Sequence, residues 1–191
     1  VRSEYRDSIG RILRLLPESD RSTAVGMQDE LGKTVLHEAF HSDNHELIQS
    51  TITVLPESQR LQAVNMKDRT GTTILHDFAY AGKYESMKHI LALLPESQRL
   101  LAVKTQDQEG KTVLQCAALT CNIETIKLLV ALYPESELLQ AVSMQDEDGW
   151  SVLNGLARSR KPESVKYILT LLPESQRSQA VNSQDLKGNT I

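Results

Sequence analysis

The chain has 191 residues, 40% of them apolar and 24% charged, with a net charge of −4. These values suit a folded chain with a core of useful size, and they lack the basic footprint of a nucleic-acid binder. No apolar run reaches the ~18–20 residues that span a bilayer, no signal-peptide pattern opens the chain, and the two cysteines, Cys116 and Cys121, fit a reducing compartment better than a disulfide framework.

Along the chain, Pro-Glu-Ser recurs at Pro17, Pro56, Pro95, Pro134 and Pro173, a constant step of 39 residues. Ala-Val keeps the same step at 24–25, 63–64, 102–103, 141–142 and 180–181. So does Asp-x-x-Gly-x-Thr/Ser, which starts at Asp29, Asp68, Asp107, Asp146 and Asp185. Three markers in one register predict a repeat array. Residues 1–28 read as a partial unit and linker, since 1–19 align with the second helix of a unit; full units follow at 29–67, 68–106, 107–145 and 146–184, and 185–191 start a further one. A chain that opens on Val1 and is cut inside units at both ends is expected to be a piece of a longer protein.

One unit predicts its own elements. In residues 68–106, Asp68 can bond its own downstream backbone and Gly71 can take positive φ, so "DRTG" is a turn. Thr73 supplies an N-cap for a short helix, "ILHDFAYAG", ended by Gly82. A second helix, "YESMKHILALL", carries Met87, Ile90, Leu91 and Leu94 as one buried stripe. Pro95 closes it and, at N1, opens a short third segment, "PESQRLLAV". The segment is expected to bury Leu61, Leu101 and Leu139 in three successive units; a convex binding ridge is its functional alternative. The fold class that follows is an all-α solenoid of helix-turn-helix units with an added third helical segment.

The run Asp-x-x-Gly-x-Thr-x-Leu-His-x-Ala, followed by two short antiparallel helices, resembles the ankyrin repeat. It reads "DELGKTVLHEAF", "DRTGTTILHDFA", "DQEGKTVLQCAA" and "DEDGWSVLNGLA". The family's usual period is ~33 residues, so each unit carries six more; aligned from Thr73 they fall after Leu91, as one more turn of the second helix and the Pro-Glu-Ser segment. The Pro common after Thr is replaced by Val35, Ile74, Val113 and Val152, and the His is kept in two units of four. The resemblance implies a non-catalytic module that binds another protein on a concave face, without cofactor, nucleic acid, membrane insertion or small-molecule substrate. The Pro-Glu-Ser-Gln-Arg style also resembles repeat regions of effectors that intracellular bacteria deliver into host cells. That resemblance implies a host-cell protein as partner and a cytoplasmic location, in the producing cell or the host cytosol. A repeat arm of a multidomain enzyme and a passive spacer are the rival readings.

"HEAFH", residues 37–41, carries the His-Glu-x-x-His spacing of zinc metalloproteases. Across the units, however, His37 aligns with His76, Gln115 and Asn154, which share a donor and an acceptor of similar reach rather than metal affinity. In ankyrin repeats this residue bonds the capping Thr and a neighbouring repeat's backbone, which implies a network of Thr34 with His37, Thr73 with His76, Thr112 with Gln115, and Ser151 with Asn154. His41 aligns with Tyr80, Leu119 and Arg158 and varies as a surface position does. A catalytic zinc also needs a third protein ligand; His45 is the nearby candidate, and the metzincin spacing is absent. No metal and no catalytic residue is assigned.

The binding surface is expected on the turn tips and the exposed side of each first helix. Its candidates are Trp150, Tyr80, Arg158, Leu119, His41, Lys111 and Arg69. Trp150 is the single tryptophan, at a position held by Lys33, Thr72 and Lys111 in the other full units. Tryptophan, tyrosine and arginine dominate interface hot spots.

Overall fold

The structure, a computed structural model, describes the backbone of residues 2–42, 45–120, 122–159 and 162–182, and the side chains of 9–40, 46–120, 122–159 and 162–182. Five helices cover the first third: α1 (Arg2–Leu15), α2 (Glu18–Val25), α3 (Val35–Ser42), α4 (His45–Thr53) and α5 (Glu57–Val64). Six more follow: α6 (Ile74–Tyr80), α7 (Tyr84–Ala92), α8 (Glu96–Val103), α9 (Val113–Thr120), α10 (Ile123–Val130) and α11 (Glu135–Ser143). The last are α12 (Val152–Arg158), α13 (Pro162–Leu171) and α14 (Glu174–Val181). They stack in three layers. First helices pack in the order α3, α6, α9, α12; second helices run α1, α4, α7, α10; third helices pair α2 with α5, α5 with α8, and α11 with α14.

The core follows the repeat step. Leu36, Leu75, Leu114 and Leu153 are fully buried at 39-residue intervals, as are Ile48, Met87 and Ile126, while Val25, Val64, Val103 and Val142 seal the third layer. Each such side chain contributes roughly 1.5–3 kcal/mol of transfer free energy. Phe78 is fully buried in α6, its ring 5.7 Å from that of Phe40 on α3.

The turns are built by their aspartates. Asp68 Oδ1 accepts from the backbone N–H of Thr70 at 2.8 Å and of Thr72 at 3.0 Å, and Asp29, Asp107 and Asp146 repeat the pattern. The amide of Lys33 donating to Asp29 holds that carboxyl below its usual range. Neighbouring turns are tied together: Arg69 N donates to Leu31 O at 2.9 Å, Gln108 N to Thr70 O at 3.1 Å, and Glu147 N to Glu109 O at 2.9 Å. The turn glycines sit at positive φ, with Gly71 at 75° and Gly110 at 76°. A Cβ on Gly71 would lie 2.6 Å from the backbone N of Gln108, whereas one on Gly110 would stand 3.4 Å from Glu147 N. Gly71→Ala is therefore expected to cost more than the roughly 1–2 kcal/mol of a left-handed residue alone, and Gly110→Ala about that amount; thermal unfolding of the two variants side by side checks the order.

The third segment departs from its sequence reading in two details. Pro95, like Pro17, Pro56, Pro134 and Pro173, is the N-cap residue and not N1, with an extended ψ of 142°. Leu101 is 57% exposed, and the residue that packs on the core beside Leu61 and Leu139 is Leu100. The register explains this: Leu100, not Leu101, lies one full step from each of those leucines. The extra turn of the second helix is also wound tighter than α-helix, for α7 stops at Ala92 and Leu94 N donates to Leu91 O at 3.2 Å.

The near-identity of the segment has a polar cause beyond leucine burial. Arg21, Arg60, Arg99 and Arg177 turn back so that Nε donates to the carbonyls of Leu16, Leu55, Leu94 and Leu172, at 3.1, 3.4, 3.2 and 3.1 Å. Each satisfies a carbonyl at the end of a second helix, where no intrahelical donor remains. Arg60 also donates from Nη1 to Leu93 O at 3.1 Å, binding one unit to the next. Leu138 holds the matching place in the remaining unit and is buried instead.

Candidate functional site

First-helix starts carry a repeated polar strut. His37 Nδ1 accepts from Thr34 N at 3.1 Å and from Thr34 Oγ1 at 2.9 Å, and its Nε2–H donates to Thr72 O in the next turn at 3.3 Å. His76 does the same with Thr73, at 3.2 and 2.8 Å, and with Lys111 O at 3.2 Å. Gln115 Oε1 accepts from Thr112 N at 2.8 Å while its Nε2 donates to Trp150 O at 2.7 Å. Asn154 Oδ1 accepts from Ser151 N at 2.9 Å and Ser151 Oγ at 2.6 Å. All four follow the capping-box pattern with His, Gln or Asn at N3, and His37, His76 and Gln115 also reach the neighbouring turn.

That geometry decides how the "HEAFH" segment is used at His37. Its ring is buried, the Nδ1 lone pair is taken by Thr34, and Nε2 carries the proton given to Thr72. A metal ligand must offer a free ring lone pair, and His37 has none. The side chains of His41 and His45 lie outside the described residues, as do Cys121 and the start of a further unit at 185–191. Glu38 is exposed.

Cys116 is a free, fully buried thiol on α9. Burial pushes its pKa up to about 12, so it is not an activated nucleophile. The Tyr80 hydroxyl is a neighbour of this thiol, and burial raises the tyrosine's pKa as well. Tyr80 still shows 38% of its surface, at the end of α6.

Other candidates line the same layer. Leu119, 40% exposed at the end of α9, leans toward α12, its Cδ2 3.7 Å from where a Cβ on Gly155 would stand. One step along, Trp150 is half-buried before α12, and the Arg158 guanidinium lies 4.9 Å from the centre of its ring. Lys111 is ion-paired to Glu109, which spends its charge locally, and Arg69 is exposed at the turn tip, its backbone held by Leu31. Tyr80, Leu119 and Arg158 thus end successive first helices, with Trp150 beside the last.

Sequence reasoning missed the ties between units at these helix ends. Thr120 Oγ1 donates to Ala79 O at 3.1 Å, and Asn122 Nδ2 donates to Gly82 O at 2.7 Å while its Oδ1 caps α10 through Thr125 N at 3.1 Å. Lys83 Nζ stands 4.5 Å over the Phe40 ring and donates to Phe40 O at 3.0 Å. The Asn before a helix was a legible cap signal; its partner one unit away was not. The Trp150–Arg158 stack had no sequence signal beyond the two residue types.

A family model of ankyrin repeats, in three copies, matches residues 48–137. The solved ankyrin-repeat domain of Bcl-3, described as a unique member of the IkappaB protein family, superposes with a TM-score of 0.75 at 18% identity, over 98% of this chain and 73% of that one. The fold is that of an ankyrin-repeat solenoid. No curated protein matches the chain. Within this ankyrin-repeat frame the struts at Thr34, Thr73, Thr112 and Ser151 occupy the first-helix caps, and the third helices α2, α5, α8, α11 and α14 are the addition that lengthens each unit. No helix among the described residues is long and apolar enough to cross a membrane.

Proposed function

We propose that this ankyrin-repeat array is a non-catalytic recognition module that binds another protein on the concave face made by its turns and first helices. The observation that carries the reading is the row of exposed helix ends, Tyr80, Leu119 and Arg158, finishing in the half-buried Trp150 with a guanidinium stacked on it. These positions differ from unit to unit while the struts and core repeat beneath them. Lys111 and Arg69 are assigned to the same face, as is His41 by its register with Tyr80, Leu119 and Arg158. Ankyrin repeats are in general protein–protein interaction modules, and the interlocked turns hold this face rigid, so little ordering is lost on docking. The array is read as one body over 1–191, with units at 29–67, 68–106, 107–145 and 146–184. A host-cell protein is the partner that the effector-like style of the third segment would imply.

The test is an affinity capture with the wild-type chain and a Trp150→Ala, Tyr80→Ala double variant. A protein retained by the wild type should bind the variant at least ~30-fold more weakly, the equivalent of a hot-spot loss of about 2 kcal/mol. Binding that stays within twofold would remove the concave face from consideration. Failure of the wild type to retain any specific protein would favour a spacer.

A further inference from the structure

We propose that Trp150 and Arg158 form a clasp for a carboxylate on an extended segment of the partner, with Leu119 receiving an apolar side chain next to that acid. The inference rests on the recognition face described above and specifies what it recognises. Its basis is a pair of donors without acceptors. The Arg158 guanidinium lies over the indole, 4.9 Å from the ring centre, and no carboxylate among the described residues pairs with it. The stacked face is shielded while the guanidinium edge, with its fork of N–H donors, stays open. The indole Nε1–H of half-buried Trp150 likewise has no acceptor among the described residues, for the Trp150 backbone makes the bonds there: its N–H goes to Asp146 and its carbonyl accepts from Gln115. Both side chains offer only donors. A carboxylate accepts along two oxygens and matches a guanidinium edge-on. Stacking also fixes the arginine before the partner arrives, which lowers the ordering cost.

The surroundings set the charge and size of the guest. Glu147 and Asp148 are exposed at the tip of the same turn, and Lys111 is already neutralised by Glu109. Arg158 as a cation with no carboxylate partner among the described residues, on a face whose turn tip carries two acids, suits a single carboxylate and disfavours a dianion such as a phosphate or a run of acidic residues. Leu119 lies against the Gly155 stretch of α12, one unit along from Trp150, so an apolar side chain beside the acid would lie along the row toward Tyr80.

A phage-displayed library of random dodecapeptides, panned on the whole chain, supplies the probe. Selected peptides are expected to carry one Asp or Glu beside an apolar residue. Changing that acid to its amide should weaken binding to the wild type about tenfold, and R158Q should lose the same factor for the acidic peptide but almost nothing for the amide version. Equal loss for both peptides on R158Q, or acid-to-amide changes within twofold, would sink the clasp while leaving the recognition face standing. Peptides indifferent to both W150A and Y80A, or a selection that yields no binder, would overturn the face and the clasp together. Arg158 is exposed at a helix end, so R158Q is expected to fold as the wild type does.

Discussion

Phe78→Ala is expected to destabilise the array by about 3–5 kcal/mol, the range for truncating a buried aromatic. Phe78 is fully buried in α6 and is the largest of the completely enclosed side chains, and its ring meets Phe40 of α3 at 5.7 Å with a 60° tilt. Truncation removes both the transfer free energy of the ring and an edge-to-face contact between units. The walls cannot collapse into the space easily. Phe78 sits on α6, which packs between α3 and α9, and the spacing of these first helices is set by the interlocked turns and struts. Phe40 also carries Lys83 above its ring, so loosening it disturbs the α6–α7 connection. In a solenoid each unit touches only its neighbours, so the loss should be concentrated in α3, α6 and α9. Denaturant unfolding reads the total, and amide hydrogen exchange reads the location. A uniform loss of protection out to α13 would contradict the nearest-neighbour picture.

Phe78→Leu is expected to retain more than half of that stability, because the residue in register with Phe78 on α12, Leu156, is a fully buried leucine. What the array cannot absorb is an empty volume between two units.

Much of this molecule was legible because it states its design repeatedly. The period placed the turns, the first helices and the Asp and Gly roles at each unit, and aligning His37 with Gln115 and Asn154 pointed to a shared hydrogen-bonding task before any distance was known. A single unit is misleading where its register against the others is left out. Choosing Leu101 over Leu100 put an exposed residue in the core, although counting from Leu61 identifies the packed one. Pro95 was placed one position too far into its helix because proline is tolerated both at N1 and just before it, and composition does not separate the two. What stayed illegible is whatever crosses between units through side chains with several options. An arginine such as Arg60 is flexible enough to be a solvated charge, and only the fold reveals that it donates to Leu55 and to Leu93 one unit away. The same holds at the recognition face, where a Trp and an Arg eight residues apart meet because a short helix lays one over the other.

His76→Ala is expected to cost about 1–3 kcal/mol for each polar group it orphans. Two Thr73 donors lose the Nδ1 acceptor, the N–H at 3.2 Å and the hydroxyl at 2.8 Å, while the Lys111 carbonyl gives up the Nε2–H at 3.2 Å and keeps the Asp107 N–H at 3.0 Å. Both lie in the buried seam between turns, where water does not replace the ring without further loosening. His76→Gln should recover most of the stability, since Gln115 performs the same task one unit along, accepting from Thr112 N and donating to Trp150 O. If the glutamine variant is as unstable as the alanine one, ring shape and not the hydrogen bonds explains the residue. Acidity gives a second readout. Burial lowers the His76 pKa from its ordinary 6.5, partly opposed by the Lys111 carbonyl, because the fold holds the neutral ring with Nδ1 as an acceptor. The unfolded chain therefore binds the proton more readily, and stability rises with pH wherever it does so. The contribution of the neutral ring is complete above pH ~6.5 and is lost as pH falls from there toward the lowered folded-state value. Unfolding midpoints at pH 7.5 and pH 5.5, taken for wild type and His76→Gln, should show the larger acid loss in the wild type. Equal losses in the two proteins would mean that the ring does not pay its proton cost at this strut.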